Sequence, residues 1–175
     1  SGEVVSGAST ITQQLARTLF FTPEERVEVS YRRKAKEIVL SSEITRRYSK
    51  DEILELYLNE INYGNMAYGI EAAAETYFNT TASELTLAQA AFLAGLPQAP
   101  SVYDIFTNRE MTLIRNKQVL TAMYNLSQEK NCIWVSNSPQ RICLEAQQAA
   151  DAYIWIDNYE FKLRANPMVY PHWVT

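Results

Sequence analysis

The sequence predicts a mainly α-helical domain, and three observations carry that reading. Helix-start signatures recur: Thr22-Pro23-Glu24-Glu25 joins an N-cap, a proline at the first helical position and a capping-box glutamate, and Ser49-Lys50-Asp51-Glu52 repeats the box. After Ser49, the apolar residues Ile53, Leu54, Tyr57, Leu58 and Ile61 fall at the spacing of one buried helical face. Alternating strand pattern is missing outside Ile133–Val135.

Taken in order, Ser9 or Thr10 caps a first helix with Gln13 and Gln14 in its opening turn. Thr22 starts a second. A third covers Tyr31–Tyr48, where Ala35, Ile38, Val39 and Ser42 line one side and Leu40, Ile44 and Tyr48 another. A helix apolar on two sides is expected to be central. Glu37 falls among the second set, and a carboxylate near the core needs partners. Arg33 at i−4 and Lys34 at i−3 are placed to supply them, so Glu37 is expected to keep its charge and to orient other groups rather than act as a base. An ordinary buried ion pair is the plain alternative. The Ser49 helix follows, then a start at Thr86-Leu87-Ala88-Gln89 that Pro97 and Pro100 bring to a stop. A helix over about Arg109–Leu126 is expected to bury Leu113, Ile114, Leu120, Met123 and Tyr124, and a last one runs from about Leu144 to Tyr159.

Composition narrows the function. The 175 residues suit one domain, and 47% apolar with 21% charged residues is ordinary globular usage. The longest apolar run, Ala90 to Leu96, is seven residues, where a membrane helix needs roughly 20. The single histidine, His172, and two cysteines leave a Ser-His-Asp hydrolase or a zinc cluster without residues. Arg17 to Lys50 holds nine Lys/Arg against five Asp/Glu, a local charge of +4 in a chain of net −4. A protein acidic elsewhere is not a nucleic-acid binder, but one basic segment suits a compact anion such as phosphate. A solvated basic helix face is the alternative.

Four ordered segments carry a resemblance. Gly7-Ala8-Ser9-Thr10-Ile11-Thr12-Gln13-Gln14-Leu15-Ala16-Arg17, Arg33-Lys34-Ala35-Lys36-Glu37, Lys50-Asp51-Glu52-Ile53-Leu54-Glu55-Leu56-Tyr57-Leu58-Asn59, and Gly69 to Phe78 with Leu93 to Pro100 resemble the second to fifth motifs of peptidoglycan glycosyltransferase family 51. These are the transglycosylase domains of class A penicillin-binding proteins and their monofunctional relatives. The resemblance implies a lysozyme-like helical glycosyltransferase domain over residues 1–165. Tyr170-Pro171-His172-Trp173 resembles the linker to a following transpeptidase domain, so 166–175 are expected to begin it.

The implied reaction polymerises lipid II. The 4-hydroxyl of the lipid II acceptor attacks the anomeric carbon of a growing glycan chain with inversion, and undecaprenyl pyrophosphate leaves. The implied partners are lipid II, the glycan chain and a membrane surface, on the extracytoplasmic face of the bacterial cytoplasmic membrane. Neither nucleic acid nor an organic cofactor is implied. Glu37 matches the family's second essential glutamate, which assists pyrophosphate departure directly or through a divalent cation, magnesium or manganese. Arg33 and Lys34 match the basic pair on the phosphates. Ser9, Gln13, Gln14 and Arg17 match donor-site residues, although the family often has Lys at the last, and Arg115 matches a later arginine aimed at the same anion. Elementary chemistry agrees: a pyrophosphate leaving group calls for cations where its charge develops, and arginine offers two-pronged donation to phosphate.

Departures set further expectations. The family's first motif, with its catalytic base, has no match in residues 1–175, so these residues alone are expected not to polymerise lipid II, and the membrane anchor is likewise expected outside them. Asn62 stands where the family usually has an aromatic. The rival readings are a lysozyme-like glycan hydrolase or lytic transglycosylase, which needs a protonated acid in an apolar pocket, and a non-catalytic helical interaction module. In the oxidising setting the family implies, Cys132 and Cys143, which flank a polar loop, are expected to form a disulfide, with two free thiols as the alternative.

Overall fold

The structure, a computed structural model, describes residues 9–134 and 141–162. Eight α-helices appear among them: α1 Ile11–Phe20, α2 Pro23–Val27, α3 Tyr31–Arg47, α4 Lys50–Glu60, α5 Ile70–Phe78, α6 Leu87–Gly95, α7 Arg109–Glu129 and α8 Ala146–Asn158. Local chemistry starts most of them. Thr10 caps α1 by accepting from Gln13 N, and capping boxes close at Thr22, Ser49, Thr86 and Glu145.

The helices form two lobes. In the smaller, Leu15 and Ala16 of α1 pack with Ile44 of α3 and Ile53 of α4. In the larger, α5 to α8 surround Tyr63, Ala73, Tyr77, Phe78, Phe92, Leu93, Leu96, Leu120 and Ile156. Aromatic rings pack around Phe78 and Phe92, including Phe161 stacked on Phe92 at 5.0 Å. Tyr57 of α4 touches both cores.

A tight loop over residues 61–69 joins the lobes. Gly69 N donates to Ile61 O at 2.9 Å and Tyr63 N to Ala67 O at 2.8 Å. Asn65 Nδ2 reaches Tyr77 Oη at 3.0 Å and Asp104 Oδ1 at 3.2 Å, and Tyr77 Oη donates to Tyr63 O at 2.8 Å. Gly69 turns at φ +83°, where a Cβ would stand 2.5 Å from the Asn59 carbonyl oxygen, so no side chain fits.

Several expectations are corrected. α3 is apolar on two sides, yet α1 and α4 cover only the Glu37–Ser41–Ile44 side. Ile38 and Val39 stay exposed at 49% and 68%, so α3 is peripheral rather than central, and Tyr48 at its end is also exposed. On α4, Leu54 faces solvent and Leu56 packs on the core instead. On α7, Ile114 is exposed while Thr112, Asn116, Leu120 and Ser127 are buried. Helix α5 is an addition: it follows Gly69 with no side-chain cap, so it lacks the signal that marks its neighbours. The only strand pair among the described residues is Ile133–Trp134 with Arg141–Ile142, antiparallel, and Val135 lies outside the described residues. The expected Cys132–Cys143 disulfide is present beside this pair. Residues 1–8 and the expected linker over 166–175 also lie outside the described residues.

Candidate active site

Helix starts position the polar cluster. The Thr10 cap fixes the first turn of α1, and Gln13, Gln14 and Arg17, three and four residues apart, follow one face. Ser30 caps α3 by accepting from Arg33 N at 3.1 Å, which sets Arg33, Lys34 and Glu37 on the facing side. The two helices meet through Glu37, which is fully buried. Its Oε1 accepts from Arg17 Nη2 at 2.9 Å and Lys34 Nζ at 3.4 Å, and its Oε2 accepts from Arg33 Nη1 at 3.0 Å. Three cations therefore share one carboxylate, and the cluster carries excess positive charge. Burial of such a group is tolerated because each oxygen has cationic donors.

Second contacts lock Lys34 and Arg33. Lys34 Nζ also donates to Ser9 Oγ at 2.8 Å and Gln13 Oε1 at 3.0 Å. Arg33 Nε donates to the Glu28 carbonyl at 2.5 Å. Tyr57 Oη donates to Gln14 Oε1 at 3.2 Å, and burial pushes the Tyr57 phenol above its usual range, which keeps it a donor.

In front of this cluster lies an open cavity of about 790 Å³. Ser9, Gln14, Arg17 and Arg33 line the small-lobe wall with Thr18 and Tyr57, and Ala94, Pro97, Gln98 and Arg115 line the large-lobe wall. Arg17 Nε is buried with no hydrogen-bond partner among the described residues, a donor left over at that wall. All the candidate residues converge, but not equally. Gln13, Lys34 and Glu37 do not line the cavity; Lys34 and Glu37 bond to residues that do. Asn62 bonds back to Gly64 N at 2.8 Å and does not line the cavity. Sequence reasoning missed Tyr57, Thr18 and Gln98 as wall residues. Tyr57 had a signal, since it stands within a quoted motif, but its apolar spacing reads as core.

The geometry can hold a multivalent anion between two walls, with arginine donors from each side. The transglycosylase family model matches residues 1–124. Penicillin-binding protein 1A of Neisseria gonorrhoeae is 48% identical over 123 residues, which cover 70% of this chain and 15% of that protein. The Aquifex aeolicus protein of the same name is 49% identical over 123 residues, covering 70% and 16%. The chain thus spans about a sixth of the length of these curated relatives. A 2.6 Å crystal structure of penicillin-binding protein 1A from Haemophilus influenzae superposes with a TM-score of 0.50 at 27% identity, covering 87% of this chain and 16% of that one. With its lysozyme-like helical fold and a family match over most of its length, the chain belongs to the transglycosylase family.

Proposed function

We propose that this domain carries the donor half of a peptidoglycan glycosyltransferase, and that its cavity holds the pyrophosphate of a lipid-linked glycan donor. One observation carries the reading: three arginines line a single cavity, and the only carboxylate among their partners in the cluster, Glu37, is buried behind them. Their surplus charge faces the space where the leaving group's charge would develop.

In the proposed reaction, the acceptor 4-hydroxyl oxygen bonds to the donor anomeric carbon as the bond from that carbon to pyrophosphate oxygen breaks. The electron pair departs on the pyrophosphate, which Arg17, Arg33 and Arg115 receive. The hydroxyl proton goes to the base of the family's first motif, which residues 1–175 do not contain. Glu37 acts at one remove, by holding Arg17 and Arg33 in place, while Lys34 ties Ser9 and Gln13 to the same centre. The residues do not suit a protein-held magnesium or manganese ion. Both Glu37 oxygens already accept from cations, and among the described residues no three His, Cys, Asp or Glu gather as ligands. A hydrolase acid would need an apolar pocket, and Glu37 has three cations instead.

The proposed setting is a membrane surface. Phe20, Val27, Val29, Tyr31, Ile38 and Val39 are all exposed on the small lobe, an apolar surface that suits lipid, and among the described residues no helix is long and apolar enough to cross a membrane. The partner and location proposed are thus lipid II and its glycan product at the extracytoplasmic face, with a transpeptidase domain following as in class A relatives.

The test is calorimetry with the phosphoglycolipid moenomycin, a mimic of the donor. Arg33→Ala should weaken binding by about tenfold or more, as expected for a lost charge-assisted contact. Arg47→Ala should leave it unchanged, because Arg47 is an exposed partner of Glu43 outside the cavity. Equal affinities in two folded variants would place the phosphate site elsewhere.

A further inference from the structure

Arg115 is held differently from the cations of the small-lobe cluster. Arg17, Arg33 and Lys34 share Glu37, whereas among the described residues no carboxylate pairs with Arg115. Three neutral groups fix its guanidinium instead. Nε donates to the Gly95 carbonyl at 3.2 Å, Nη1 reaches Gln118 Oε1 at 3.4 Å, and Cζ lies 5.7 Å from the centroid of the Tyr103 ring. Gly95 admits this approach: a Cβ there would stand 3.2 Å from Arg115 Cγ. A carboxylate partner offsets a cation's charge, but a ring face attracts the cation and leaves the charge whole. The Tyr103 hydroxyl makes no hydrogen bond among the described residues, so the ring alone engages Arg115.

The geometry points to Tyr103 as a positioning residue of the anion site, whose ring holds the Arg115 guanidinium on the cavity wall with its charge uncompensated. This rests on the reading of the cavity as a pyrophosphate site. Without the ring, Arg115 keeps its charge but regains rotamer freedom, and binding must then order it again.

Calorimetry of inorganic pyrophosphate with the 175-residue chain tests the assignment. Tyr103→Leu should weaken binding by about two- to tenfold, the range of one cation–π contact. Tyr103→Phe should restore the affinity, because it keeps the ring. In an Arg115→Gln background, Tyr103→Leu should cost nothing more. Tyr103 also packs on the large core, so thermal melting accompanies each variant, and Tyr103→Met stands in if the leucine variant does not fold. The same loss with or without Arg115, or a phenylalanine variant as weak as the leucine one, overturns the assignment. Arg33→Ala separates the two readings. If it weakens binding and Tyr103→Leu does not, the positioning role falls and the anion site stands; if the unaltered chain binds no pyrophosphate, both fall.

Discussion

The two lobes solve different physical problems. The larger clusters fifteen buried apolar residues, tied by aromatic contacts around Phe78 and Phe92. The smaller clusters only Leu15, Ala16, Ile44 and Ile53, and ten of its large apolar residues, from Ile11 to Leu54, are exposed. What the small lobe lacks in apolar core it makes up in charge: Glu37 joins α1 to α3 through Arg17 and sits where a hydrophobe would otherwise go. The wall richest in binding groups therefore belongs to the lobe with least hydrophobic stabilisation, and the well-packed lobe supplies a firm opposite wall. Regions with few buried apolar contacts open most readily, so the anion and the small lobe should stabilise each other.

That contrast can be broken or sharpened by measurement. The largest effect is expected from Glu37→Gln, which keeps the shape and leaves three cations without their carboxylate. Breaking such a buried cluster costs about 3–5 kcal/mol, and hydrogen exchange should show α1 and α3 opening while α5 to α8 remain protected. Uniform loss across both lobes would mean that the lobes are one cooperative unit. Leu93→Ala, fully buried in the larger core, should cost about 2–4 kcal/mol in denaturant unfolding. Its exchange signature should be the reverse. Replacing Cys132 and Cys143 by serine opens the link between the end of α7 and the start of α8, and should cost about 2–3 kcal/mol on loop-entropy grounds.

Smaller again is Val29→Asp with Val39→Asp on the exposed small-lobe surface. Each should change stability by no more than about 0.5 kcal/mol, yet together they should reduce sedimentation with lipid vesicles. The least effect is expected at Glu43, whose carboxyl the Arg46 and Arg47 guanidiniums hold down at about 2, against an ordinary value of 4.5. A carboxyl lowered on folding stabilises above its unfolded value and loses that contribution as the pH falls towards 2. The melting difference between the unaltered chain and Glu43→Gln should therefore be present at pH 6 and shrink below about pH 4.5.

Much of this was legible in the sequence where the deciding chemistry is local. The capping boxes at Thr22, Ser49 and Thr86 need only four residues each, and all three helices start where those residues stand. Arg33, Lys34 and Glu37 fall on one helix turn, so their pairing follows from spacing. Arg17 reaches Glu37 from another helix, a pairing that no spacing rule shows; the motif marks Arg17 only as a donor-site residue. Features set by distant segments stayed hidden. Periodicity shows that α3 has two apolar sides but not that only one gains a neighbour, and α5 begins at a glycine whose turn leaves no capping side chain to find. Tyr103 over Arg115 pairs a loop with a helix, and no spacing rule reaches between them.

The 61–69 loop has a mechanical consequence. A hinge needs backbone that is free to turn, and this joint has little: Gly69 and Ile61 bond across it, while Asn65 is tied to Tyr77 and Asp104 in the larger lobe. Helices α4 and α5 therefore meet in a weld, and α1, which packs on α4, is carried with it. The gap between Arg33 and Arg115 is a preset span, like the opening of a fixed wrench. On the proposed reading, an anion is gauged by whether its charges reach both jaws at once.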